Sequence, residues 1–223
     1  MSQRQYSVRK FPRRWREVLL LLVEKGSANK HEAMGLMTPK PPYSTVHKAF
    51  MRLAESGFIS ATKAGISRAG LTIERYSLTV PGLAVTTAAW RKDIDWERMA
   101  RAQRGLLPRV FGKWELFIRE GGEELARKSL LGSIDIFLRE YNWEAGYTER
   151  EAAARISKNF IMTPRDALEG SEQDQWYRIL AEDRELRSWA IEYVNEIVSY
   201  HVREAEYWNQ TLKLLGTHRQ SST

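Results

Sequence analysis

Ser44-Thr45-Val46-His47-Lys48-Ala49-Phe50-Met51-Arg52-Leu53-Ala54-Glu55-Ser56-Gly57-Phe58-Ile59 sets Val46, Ala49, Phe50 and Leu53 on one face of a 3.6-residue period. The spacing predicts a helix that begins near Tyr43 or Ser44, runs to Glu55 and stops at Ser56-Gly57. Thr45, Lys48 and Arg52 share the opposite face, and Ser44 sits near its start. Upstream, Thr38-Pro39-Lys40-Pro41-Pro42 excludes helix, because proline lacks an N–H donor and restrains the residue before it. Downstream, Phe58 to Lys63 reads as a strand, Gly65 to Gly70 as a loop with glycine at both ends, and Leu71 to Leu78 as a second strand.

Two further helices precede this stretch. Trp15, Val18, Leu19, Leu22 and Val23 recur at spacings of three and four, which predicts a helix over Arg13 to Lys25 ended by Gly26. Asn29 can cap a short helix through about Leu36. The order is helix, helix, helix, hairpin, closed by Pro81-Gly82. Residues 1–12 form a polar, basic arm without apolar periodicity.

The Ser44 to Ile59 stretch resembles the recognition helix and first wing strand of winged-helix transcription regulators. There the helix ends in a leucine, a few polar residues, glycine and an apolar pair that enters the wing. Arg75-Tyr76-Ser77-Leu78-Thr79-Val80-Pro81-Gly82 is similar to their second wing strand and its exit, a Tyr-x-Leu-Thr-x-x-Gly pattern. Both are familiar from the PadR and MarR families, and the resemblance covers about residues 13–83. It implies a winged helix-turn-helix domain with the third helix in a DNA major groove. On that helix Ser44, Thr45, His47, Lys48 and Arg52 are the expected DNA-binding residues, donors and cations able to reach base edges and phosphates. Arg68, between Gly65 and Gly70, is expected at the wing tip, where a cation can enter a minor groove or neutralise a phosphate. The alternative for each is an ordinary solvated side chain; for His47 it is a helix-surface or interface residue.

Charge supports a polyanion partner for one half only. Residues 1–92 carry 16 Lys and Arg against 5 Asp and Glu, a net +11; residues 93–223 carry 19 against 23, a net −4. Arg4, Arg9, Lys10, Arg13 and Arg14 can add phosphate contacts from the arm. There is no cysteine, which excludes disulfides, thiolate metal sites and cysteine nucleophiles and fits a reducing, cytoplasmic setting. No apolar run approaches the ~20 residues of a membrane span, and no cleavable leader is expected.

Residues 84–94 read as a connector holding at most a short helix, and residues 95–216 as an all-α domain for dimerisation or effector sensing, with a tail over 217–223. Asp93 or Asp95 can cap a helix reaching Arg104; helices then follow over about Arg109 to Glu120 and Glu123 to Tyr141, separated by Gly121-Gly122. Thr148 with Glu151 forms a capping-box pattern for a helix ending near Met162, and Ser171 with Asp174 marks another start. Glu185 to Leu215 lacks proline and glycine and would span roughly 46 Å, with Gly216 as its stop. Ile179, Leu186, Tyr193, Tyr200 and Tyr207 recur every seven residues, but Asp183 and Glu204 spoil the second heptad position, so no strict coiled coil is expected. Aromatics on more than one side, at Trp189, Tyr193, Tyr200, Tyr207 and Trp208, predict a homodimer built through these C-terminal helices. The tryptophans Trp96, Trp114, Trp143, Trp176, Trp189 and Trp208, with Trp90 at the edge, serve core packing and helix–helix contacts, with an aromatic effector pocket as the alternative.

Catalysis has no footing in the sequence. His31-Glu32 opens like a zinc-protease motif, but Gly35 stands where the second histidine ligand belongs. No phosphate-binding glycine fingerprint is present. The expectation is therefore a mainly α, non-enzymatic, sequence-specific regulator of transcription that binds double-stranded DNA, without metal or cofactor. A protein-interaction scaffold using the winged helix for docking is the alternative, and RNA binding by the same basic half is a further one.

Overall fold

The computed structural model describes residues 11–66, 70, 72–141, 147–162 and 168–220. Its elements are α1 (Arg13–Lys25), β1 (Ser27–Ala28), α2 (Lys30–Leu36), α3 (Tyr43–Glu55), β2 (Ile59–Ile66), β3 (Thr72–Leu78), α4 (Val80–Trp90), α5 (Trp96–Ala102) and α6 (Pro108–Phe111). Then come α7 (Trp114–Glu140), α8 (Glu149–Met162), α9 (Ser171–Glu182) and α10 (Arg184–Gln220). The chain is mainly helical with one three-stranded antiparallel sheet. It divides into two compact units, the first ending at Gln173 and the second beginning at Asp174. No helix among the described residues is long and apolar enough to cross a membrane.

The apolar periodicities place the first helices as expected. α1 buries Val18, Leu19, Leu22 and Val23, and α3 buries Val46, Ala49, Phe50 and Leu53. α2 begins with a full capping box: the Asn29 side chain accepts from Glu32 N–H at 2.8 Å, and Glu32 accepts from Asn29 N–H at 3.0 Å. Gly57, at φ +73°, turns the end of α3 into β2. β2 and β3 pair from Ile59↔Leu78 to Ile66↔Thr72, with a register shift between Lys63 and Gly65. The two-residue β1, too short to carry a period, adds to the other edge of β3 through Ser27↔Ser77 and Ala28↔Tyr76, giving the order β1-β3-β2.

The stretch expected to be a connector is the most buried helix of the first unit. Every residue of α4 from Val80 to Thr87 is buried. It has no polar face, so it shows no amphipathic period; a helix apolar all round belongs inside a core. It packs against α1, β3, α7 and α8 and so joins residues 13–83 to the helices that follow. Its two buried threonines donate back to their own helix, Thr86 to Gly82 O at 2.6 Å and Thr87 to Leu83 O at 2.8 Å. Phe11, the last apolar residue of the arm, lies 5.7 Å by ring centroid from each of Trp15, Phe58 and Trp90.

Beyond α4, Asp95 caps α5 by accepting from Arg98 N–H at 3.0 Å. α7 kinks at Gly122 (φ 80°, ψ 159°), where Gly121-Gly122 was expected to separate two helices. Thr148 and Glu151 form the expected reciprocal pair at the start of α8. α10 runs past Gly216 to Gln220: glycine weakens a helix interior by about 1 kcal/mol without forbidding it. In the second unit, Trp176, Ile179, Leu180, Leu186 and Trp189 are buried.

Candidate nucleic-acid interface

α3 is anchored by its apolar stripe, above all by Phe50, which is fully buried and meets the Tyr76 ring edge-on at 4.9 Å. That anchorage turns the other side of the helix outward. Ser44, His47, Lys48 and Arg52 are exposed, and Thr45 is half-buried. The five sequence-predicted residues of this helix therefore lie on one accessible surface, with Met51 and Glu55 among them. Arg68 lies outside the described residues.

Two side chains that the sequence reading did not connect extend this surface onto α2. The His31 ring stacks on Tyr43 with centroids 4.6 Å apart and planes 19° apart, and Tyr43 lies 6.0 Å from His47. All three are exposed, and they form a row from α2 across the first turn of α3. The proline-rich segment between the helices brings His31 and Tyr43 together, a juxtaposition with no signal in spacing.

The cations around the sheet fall into two groups. Arg75 is bound into the fold: Nε donates to Ser27 Oγ at 3.2 Å, Nη2 to Ser27 O at 3.1 Å, and Nη1 to Glu32 Oε1 at 3.1 Å. Lys30 lies 3.5 Å from Glu74 and 5.0 Å above the Tyr76 ring. The Glu32 carboxyl is held below its usual range chiefly by the Asn29 N–H and then by Arg75. Glu74 is likewise held low, by the Tyr76 hydroxyl first and then by Lys30. Burial first, and the Glu74 carboxylate second, push the Tyr76 phenol up. In the second group, Lys40, Lys48, Arg52 and Lys63 are exposed and form no ion pair among the described residues. These side chains carry charge that the fold does not consume. Arg13 and Arg14, counted with the arm, sit in the first turn of α1 and both pair with Glu17.

The β2–β3 hairpin supplies a second exposed element. β2 is exposed from Ser60 to Ile66, and Ile66 near the tip is 75% exposed. Among the described residues there is no group of three or more His, Asp or Glu able to hold a metal ion.

Comparison with protein-family models, with curated proteins and with solved structures finds no match to this chain.

Proposed function

We propose that residues 13–83 form a winged helix-turn-helix and that the protein is a sequence-specific, double-stranded DNA-binding regulator of transcription. In this reading α3 enters the major groove, and the β2–β3 hairpin lies on the adjacent backbone or in the minor groove, with Arg68, between the two strands in sequence, as its expected contact. The observation that carries it is the pairing state of the charges. Lys48 and Arg52 project from the exposed face of an anchored helix and form no ion pair among the described residues, while nearby Arg75 and Lys30 are bound to carboxylates. The element order α1-β1-α2-α3-β2-β3 and the sheet order β1-β3-β2 fit the same fold. The net +11 on residues 1–92 adds the counterion-release term common to all duplex binders.

Selection of bound sites from random duplex DNA by the 223-residue chain tests this. Enrichment of a defined site, with affinity falling steeply as salt rises, is expected. Binding that is equal on all duplexes, or stronger on duplex RNA, would overturn sequence-specific DNA recognition.

A further inference from the structure

Past Trp189, α10 has an apolar face that the rest of the second unit leaves exposed. Ile191, Val194, Val198, Trp208 and Leu212 are each between 49 and 64% exposed. A run of this kind exceeds the scattered exposed hydrophobics of an ordinary surface. Its spacing is regular. Ile191, Val198, Ala205 and Leu212 recur every seven residues, and Val194, His201 and Trp208 form a second series three residues on. Together they make an unbroken alternation of three and four over 22 residues, or about 33 Å of helix. This seam is not the tyrosine series visible in the sequence. Ile179 and Leu186, which begin that series, are buried, and Tyr200 and Tyr207 lie off the seam.

We infer that this seam pairs with the same seam of a second copy of the chain, making a two-stranded coiled coil from residues 191–212. Three considerations select that occupant. The first is the period: 3.5 residues keeps a stripe facing a partner helix, which an isolated bilayer or flat surface does not require. The second is the charge beside the seam. The flanking positions are Asn195, Ile197, Val202, Glu204, Asn209 and Thr211, of which only Glu204 is charged. Flanking charges are what select a different partner strand; near-neutral flanks leave an identical strand unrepelled and offer no cations to an anionic membrane. The third is length: seven seam positions over 22 residues make three heptads, about 33 Å of continuous helix for a partner strand. His201, 3.6 Å from Glu204 of its own helix, is the one ionisable residue in the seam, a device that fixes register at some cost in strength.

The pairing needs no DNA, and neither does its test. Light scattering of the 223-residue chain should give twice 25.9 kDa at micromolar concentration. Val198→Glu and Leu212→Glu should each weaken self-association by about a hundredfold or more, because a carboxylate would be buried unpaired. Tyr200→Glu should leave the dimer intact. The chain has no cysteine, so single introduced thiols report proximity without disturbing the helix. At least one of Val198→Cys, His201→Cys and Ala205→Cys should cross-link on mild oxidation faster than Tyr200→Cys. A monomeric wild type would overturn the assignment, as would flotation of that monomer with phosphatidylglycerol vesicles. So would a dimer broken by Tyr200→Glu but not by the seam substitutions.

Discussion

The Gln103 side-chain amide donates to the Leu22 carbonyl at 2.8 Å, across 81 residues of sequence, and the same nitrogen donates to Val23 O at 2.8 Å. Gln103 is buried, and the carbonyls belong to the last turn of α1, where helices lack internal donors. Leu22 O also accepts from Gly26 N–H at 2.9 Å, so Val23 O is the group that depends on Gln103. Gln103→Met keeps the volume and removes the donor. It should cost about 1–2 kcal/mol and lower the melting temperature by roughly 2–6 °C. Gln103→Glu should cost more at neutral pH, since a carboxylate would face the negative end of α1, and should recover on acidification. Thermal melts at pH 4.5 and 7.5 check both; an unchanged melting temperature for Gln103→Met would remove this bond from the fold's supports.

A second support is steric. A Cβ built on Gly82 would lie 1.9 Å from Phe58 O, so α4 can approach the entry to β2 this closely only with glycine there. Thr79 fixes the same approach by accepting from Gly82 N–H at 3.1 Å and donating to Gly57 O at 2.6 Å. Gly82→Ala must push backbone apart rather than bend a flexible side chain. A loss of about 2–4 kcal/mol in denaturant unfolding is the expected result. Gly35→Ala, with nothing within 4 Å of the added Cβ, is the control and should be neutral or better.

Glu149 gives a pH dependence of known sign. Its carboxylate Oε2 accepts from Val80 N–H at 2.9 Å at the start of α4. Burial raises its pKa, and the Val80 N–H only partly offsets this. A raised folded-state value means that the folded protein holds the proton more tightly than the unfolded chain. The contribution to stability is therefore full below the ordinary carboxyl range and is lost as pH rises through the raised value. Glu149→Gln keeps an acceptor for Val80 and removes the titration. The residue is exposed overall, so the gain should stay below about 1 kcal/mol at pH 7.5 and vanish near pH 4. A gain of equal size at both pH values would show that titration is not its source.

What the sequence disclosed follows from how each element meets water. α1, α2 and α3 each present one face to a core and one to solvent or carry a cap, and period and capping chemistry locate them. α4 has no wet face, so its period vanished and it read as a connector. β1 exists only because β3 has an edge to pair with, a tertiary fact that Ser27-Ala28 cannot signal alone. At the candidate site, Ser44, Lys48 and Arg52 were legible as the polar complement of Val46, Phe50 and Leu53. The His31–Tyr43 stack was not, because it is made by the path of the chain between two helices. In α10 the aromatic heptad was conspicuous, but Ile179 and Leu186, which begin it, are buried, whereas Ile191, Val194, Val198, Trp208 and Leu212 of the second series are all exposed.

The separation of reading from anchoring on α3 can be measured directly. Lys48→Ala and Arg52→Ala change exposed residues that form no ion pair among the described residues, so each should leave the melting temperature within the range of surface substitutions. If either side chain contacts a base edge bidentately, discrimination at that base should fall by about 1–3 kcal/mol. Arg68→Ala, if it meets phosphate, should weaken all duplexes evenly and make the salt slope shallower by about one. Phe50→Ala lies on the opposite face, fully buried against Tyr76, and should cost roughly 3–5 kcal/mol of stability whatever the ligand. Binding curves on matched and mismatched duplexes, with melting curves for each variant, distinguish the four. If Lys48→Ala and Arg52→Ala both bind every duplex as the wild type does while Phe50→Ala unfolds the domain, α3 is anchored as described but is not the reader. The exposed face would then serve a protein partner.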